Sequence, residues 1–215
     1  MAVILDRDGQ EKPVGKILAV GRNYAAHAAE MHAPAEPVVF MKPGTAIRLP
    51  GEPVSLPRER GEVHHEIEIA IWLRTGGTGL TREAAGRCIG AYGLVLDLTL
   101  RDVQAEAKRA GRPWTLAKGF DASLPTGVFV SAGSVAEPEG LEFTWSVAGE
   151  LRQAGRARDM LLAPAALLAF ISSWITLEPG DLVLTGTPEG VGPVVPGDRG
   201  VMNLAGWNET EVVFV

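Results

Sequence analysis

Short apolar runs bounded by Gly, Pro and polar breaks recur along most of this chain, and their period-2 spacing outweighs any helical one. They predict strands at 16–20, 38–40, 66–73, 93–98, 126–130, 142–147, 182–185 and 211–215. Two Pro-Gly-Asp turns, at 179–181 and 196–198, punctuate the final third. Helical spacing is rarer. Thr81 is a natural N-cap for a helix in which Ala84, Ala85, Cys88 and Ile89 share an apolar face. The stretch 102–110 reads as a helix stopped by Gly111, and 23–31 as a short helix with a strongly polar face. The uncharged stretch 160–177 predicts a buried helix running from Pro164 to about Ile175. It is shorter than the roughly 20 apolar residues a bilayer requires. The pattern predicts a strand-rich α+β fold in one domain, residues 1–215, with no repeat and no linker.

Composition narrows the setting without changing that picture. Of 215 residues, 46% are hydrophobic and 21% charged, the balance of a globular protein. The net charge of −6, with no dense basic run, argues against nucleic acid or an anionic membrane as partner. The single cysteine, Cys88, excludes an internal disulfide. Charge arrives too soon after Met1 for a secretory signal, so the expected location is cytoplasmic.

The chemistry begins at Val63-His-His-Glu-Ile-Glu-Ile-Ala-Ile-Trp-Leu73. On a strand, His65, Ile67, Ile69 and Ile71 fall on one face and His64, Glu66, Glu68 and Ala70 on the other. Two carboxylates on one face are tolerated where water solvates them or where a cation sits between them. Asp97 then stands inside the apolar run 91–100, where an unpaired carboxylate is costly. Its partner is either Arg101 or a metal ion shared with Glu66 and Glu68. Three carboxylates without Cys-His spacing would suit a hard cation, Mg²⁺ or Mn²⁺.

Other candidates carry paired readings. His27 and Glu30, three apart, form either an exposed helical pair or a general base oriented by a carboxylate. Arg101 and Gln104 lie either on a solvated helix face or beside a metal held by Asp97. Lys118, in the apolar run Trp114–Phe120, either reaches water by its stem or needs a buried anion. Strand-start histidines are more often structural, so His64 and His65 are left out of the ligand set. The loop 185–193 has neither P-loop nor dinucleotide spacing, but its backbone N–H groups suit a carboxylate. No G-x-S-x-G elbow is present.

Seven ordered segments together are similar to the fumarylacetoacetate hydrolase superfamily, in particular its short acylpyruvate hydrolase branch. They are Gly21-Arg-Asn-Tyr24 with His27 and Glu30, Phe40-Met-Lys-Pro43, His64-His-Glu-Ile-Glu68, Leu96-Asp-Leu-Thr99 with Arg101 and Gln104, Pro113-Trp-Thr-Leu-Ala-Lys118, Gly149-Glu-Leu-Arg-Gln153 and Leu184-Thr-Gly-Thr-Pro188. The resemblance implies a mostly β, mixed β-sandwich roll with a few short helices, usually assembled as a homodimer. It implies that Glu66, Glu68 and Asp97 ligate Mg²⁺ or Mn²⁺. It assigns His27 and Glu30 to a lid that activates water, and places Lys118, Arg101, Gln104 and Thr187 against a bound 2-oxo acid. The implied reaction is hydrolysis of the C3–C4 bond of an acylpyruvate to pyruvate and a carboxylic acid. Lys118 would stabilise the enolate that leaves. Oxaloacetate decarboxylation, isomerisation or hydration of dienoic 2-oxo acids, and metal–dicarboxylate binding without catalysis are the alternatives. This chain has Ala148 where the branch commonly has Asn, and lacks the Thr usually found shortly before Met160.

Overall fold

The computed structural model describes residues 2–24 and 37–215. The hairpin β1 (Val3–Leu5) and β2 (Glu11–Pro13) is followed by β3 (Ile17–Gly21), β4 (Val38–Lys42) and a short β5 (Ile47–Arg48). A single residue, Glu66, separates β6 (Val63–His65) from β7 (Ile67–Leu73). Helix α1 (Arg82–Cys88) leads into β8 (Ile89–Leu96), then β9 (Thr99–Leu100), α2 (Arg101–Arg109), α3 (Thr115–Lys118), β10 (Leu124–Pro125) and β11 (Val130–Ser131). The remainder comprises β12 (Glu142–Val147), β13 (Glu150–Arg156), α4 (Pro164–Ser172), β14 (Leu182–Leu184), β15 (Gly192–Val194), β16 (Arg199–Leu204) and β17 (Asn208–Val213).

Besides the two-stranded pairs β1-β2 and β10-β5, three larger sheets organise the described strands. The largest runs β11-β8-β7-β14-β3-β4 and is antiparallel except for the parallel β14–β3 pair. An antiparallel sheet, β13-β12-β16-β17, and a small one, β15-β6-β9, complete the roll. The large sheet is buried on both faces, which is why its strands read as apolar runs rather than as alternations. Ile67, Ile69 and Ile71 of β7 join the main core with Phe143 and Trp145 of β12 and with Leu167, Leu168 and Ile171 of α4. On the opposite face Ala70, Ala19, Val95 and Leu184 pack with Ile4, Leu124 and Phe129.

The strand-rich α+β expectation and the sandwich roll are therefore met. Thr81 caps α1 as expected, its Oγ1 accepting from Ala84 N at 3.2 Å. Helix α4 ends at Ser172, earlier than expected, because the chain turns there and Ser172 Oγ bonds back to Ala169 O. The strand expected at 66–73 forms as β7 from Ile67, and Glu66 is the non-strand residue at which the chain passes from the small sheet to the large one. Asp97 lies one residue beyond the end of β8 rather than inside a strand. Its N–H reaches Glu66 O at 2.8 Å, and its carbonyl accepts from Thr99 Oγ1, so the chain turns toward the small sheet there. Of the helix expected at 23–31, Asn23 and Tyr24 are non-helical, and Tyr24 bridges to Met160. The rest of that stretch lies outside the described residues. Among the described residues, no helix is long and apolar enough to cross a membrane.

Candidate active site

The register of β7 against β8 assembles the acidic centre. Ile67 faces Leu96 and Glu68 faces Val95, so the residues just beyond the ladder, Glu66 and Asp97, meet across the same seam. Alternation along the strand then brings Glu68 to the side that Glu66 occupies. Glu66, Glu68 and Asp97 are all buried, and each offers an oxygen within 4.8 Å of the others.

Three cations converge on these carboxylates. Lys118, at the end of α3, is 3% exposed and places Nζ 2.7 Å from Glu66 Oε2 and 2.6 Å from Asp97 Oδ2. Lys42, at the end of β4, donates to Asp97 Oδ1 at 2.7 Å and to the Lys118 carbonyl. Arg101, at the start of α2, donates to Glu66 Oε1 at 2.8 Å and to Gln104 Oε1 at 2.9 Å. The Asp97–Arg101 pairing considered from sequence does not form: Asp97 takes the two lysines, and the guanidinium goes to Glu66.

The charge states follow from this wiring. Burial alone would raise the Glu66 carboxyl, but Lys118 and then Arg101 hold it at about 2. Burial would strip Lys118 of its proton, yet Asp97 and Glu66 outweigh that cost and raise its pKa. Lys42 goes the other way, lowered by burial and by repulsion from Lys118 despite Asp97. Glu68 goes the opposite way from Glu66. Its polar partner is a backbone N–H, Gly186 N at 2.6 Å, and burial followed by repulsion from Asp97 pushes its carboxyl well above the ordinary range.

That imbalance is the test of a metal at this place. Two carboxylates already converge on one ammonium, and the third is held buried without an ion-pair partner among the described residues. An all-oxygen donor set of this kind fits a hard divalent cation. Binding one would relieve the repulsion that now favours a protonated Glu68.

The loop after β14 forms another wall. Thr187 Oγ1 donates to Ile67 O at 2.8 Å and accepts from Gln153 Nε2 at 2.9 Å. Gln153 Oε1 accepts from Ile67 N and from His65 Nδ1, which places the proton of the neutral imidazole on Nδ1. Burial lowers the pKa of His65, consistent with that state. His65 thus supports the wall, and His64 pairs with Glu62 at the surface. Neither belongs to the cluster formed by Glu66, Glu68 and Asp97.

One pocket is lined by Glu66, Glu68, Asp97, Arg101, Gln104 and Lys118, and also by Thr187. The geometry thus gathers every described member of the sequence-derived set. His27 and Glu30 lie outside the described residues. Sequence reasoning passed over Lys42, Gln153 and Asn23, although each lies in a quoted motif. The signal for Lys42 was a lysine between an apolar strand and Pro43. For Asn23, which donates to Thr185 O at 2.9 Å and so ties the wall loop down, nothing in the local pattern distinguished it.

Comparison with known proteins places the chain in a family. The fumarylacetoacetate hydrolase C-terminal family matches residues 16–213. Oxaloacetate tautomerase YcgM of Escherichia coli is 43% identical over 205 residues, covering 94% of both chains. The mitochondrial oxaloacetate tautomerase FAHD1 of Bos taurus is 45% identical over 185 residues, 85% of this chain and 84% of its own. The crystal structure of fumarylpyruvate hydrolase from Pseudomonas aeruginosa, in complex with Mn²⁺ and pyruvate, superposes with a TM-score of 0.95 at 35% identity. It covers 100% of this chain, which accounts for 95% of the other. The extent of these matches settles the lineage: the chain belongs to the fumarylacetoacetate hydrolase family.

Proposed function

We propose that this protein is a divalent-metal-dependent enzyme of 2-oxo acids that works through an enolate at C3, with keto–enol tautomerisation of oxaloacetate as its principal reaction. The observation that carries the reading is the buried triad of Glu66, Glu68 and Asp97, with Lys118 locked between two of its carboxylates. The tautomerases that match nearly the whole chain supply the choice of reaction.

Glu66, Glu68 and Asp97 would hold Mg²⁺ or Mn²⁺, which supplies Lewis-acid stabilisation of negative charge on the substrate oxygens. Arg101 and Gln104 orient the C1 carboxylate from the first turn of α2, their mutual hydrogen bond fixing the direction of both. Lys118 keeps its proton in this setting and would stabilise the oxygen on which enolate charge develops. Tautomerisation then breaks one C3–H bond and forms one O–H bond at C2, with the electron pair passing through the enolate.

Hydrolysis of acylpyruvates is the second reading, favoured by the fold match to a fumarylpyruvate hydrolase. Here His27, oriented by Glu30, takes a proton from water. The hydroxide attacks the C4 carbonyl, and C3–C4 cleavage gives a carboxylic acid and pyruvate enolate. Tautomerisation and decarboxylation need no attacking water, so the two readings part at His27. The family resemblance makes a homodimer the expected assembly.

The test is an assay of enol-oxaloacetate conversion, oxaloacetate decarboxylation, and acetylpyruvate and fumarylpyruvate hydrolysis. Each is run after EDTA treatment and after return of Mg²⁺ or Mn²⁺. Metal-dependent acceleration of oxaloacetate tautomerisation, retained in His27→Ala, is the expected result. Dominant hydrolysis lost in that variant would replace the first reading with the second. Full activity after complete metal removal would overturn both.

A further inference from the structure

Among the described residues, the pocket is lined by more cationic side chains than its carboxylates engage. Lys118 and Arg101 pair with Glu66 and Asp97 at the 2-oxo acid end, and the fully buried Lys42 pairs with Asp97. Arg22 and Lys108 line the same pocket, and among the described residues neither makes an ion pair with a carboxylate. Both are partly buried. Two side chains of one sign gathered at a site repel each other unless an anion joins them.

The backbone is built to put Arg22 there. It follows β3 with φ at 69°, a left-handed conformation that a non-glycine residue rarely adopts and that clusters at functional sites. Its neighbour holds it in place. Asn23 is buried and bonds Leu162 O at 3.0 Å, Thr185 O at 2.9 Å and Leu162 N at 2.8 Å. Lys108 is placed by α2, with Nζ over the Trp114 ring at 5.1 Å from its centroid. Burial and then repulsion from Arg101 lower the Lys108 pKa, with Glu66 acting the other way and Arg22 and Lys118 adding to the repulsion.

We infer that Arg22 and Lys108 form a subsite for a second carboxylate, remote from the 2-oxo acid end, and that this subsite selects dicarboxylate over monocarboxylate substrates. The inference rests on the reading of the pocket as a 2-oxo acid site. A guanidinium takes a carboxylate through paired N–H groups, and the ammonium adds a second charge in the same pocket.

Calorimetric titration of the Mn²⁺-loaded protein with 2-oxoglutarate and 2-oxovalerate tests this, because the two share chain length and differ in the terminal carboxylate. The wild type should favour 2-oxoglutarate. Arg22→Gly removes the guanidinium while suiting the left-handed backbone, so folding is not at risk. It should lower that preference by about tenfold, the scale of one charge-assisted hydrogen bond. Affinity for 2-oxovalerate should stay within a factor of about two, and Lys108→Gln should act in the same direction. Equal weakening of both ligands, or no change in either, would overturn the subsite. Failure of both ligands to bind the wild type would overturn the 2-oxo acid reading itself, a distinct outcome.

Discussion

Lys42 shows how much the site depends on one side chain that makes no obvious chemical contribution. Its ammonium is fully buried, bonds Asp97 Oδ1 at 2.7 Å and also holds the Lys118 carbonyl. It therefore orients a candidate metal ligand and the backbone of a candidate catalytic lysine together. Removing one partner of a buried ion pair commonly costs about 3–5 kcal/mol, because the other charge stays behind. Asp97 retains Lys118, so Lys42→Met should fall at the lower end, about 3 kcal/mol by urea unfolding in EDTA. Saturating Mn²⁺ should recover part of that loss, since a cation on Asp97 replaces the missing charge. A variant as stable as wild type would show that Lys42 does not hold Asp97. The acidic residues were legible in sequence because a carboxylate in an apolar run demands a partner. Lys42 was not, because a lysine at a strand end is ordinarily a solvated one, and only the meeting of β4 with α3 buries it.

Elements differ in legibility for a similar reason. Strands β7 and β8 showed plainly because both faces of the large sheet are covered, leaving unbroken apolar runs. Strand β13 did not: of Glu150–Arg156 only Gln153 is buried, and it is buried for its hydrogen bonds. The break at Glu66 was equally hidden, since a change of sheet leaves the alternation intact. One turn was readable in part. Ala148 and Gly149 join β12 to β13 with φ of 50° and 81°, the two left-handed residues of a tight hairpin. Glycine suits this conformation, whereas for alanine it costs about 1–2 kcal/mol. Asn, the residue common at this place in the branch the chain resembles, tolerates it. Ala148→Asn should therefore stabilise the protein by about 0.5–1 kcal/mol, seen as a higher urea midpoint at unchanged slope. An unchanged or lower midpoint would mean that the hairpin bears no strain at Ala148.

At the scale of the whole molecule, the net charge of −6 conceals two populations of acid. Most described acidic groups reach solvent and buried Asp181 is paired with Lys16, but Glu66, Glu68 and Asp97 are buried together, and the Glu68 carboxyl is pushed well above its ordinary value of 4.5. With its folded pKa raised, Glu68 favours the fold fully below about pH 4.5. That contribution is lost as pH rises through the folded pKa, because the unfolded chain ionises first. A divalent cation reverses the sign by binding the ionised form, so proton and metal compete for one buried oxygen pair. Metal at 100 times its Kd should stabilise the protein by about 2.7 kcal/mol. For a chain of this length that corresponds to a rise in Tm of roughly 5–10 °C. The rise should grow with pH, the metal-free and metal-loaded curves diverging as Glu68 ionises. Glu68→Gln should flatten the metal-free curve relative to wild type and abolish most of the metal-dependent rise. Thermal scans at stepped pH, with Mn²⁺ or with EDTA, measure both effects. Parallel curves in the wild type would separate Glu68 from the metal, leaving its burial to be explained by the fold alone.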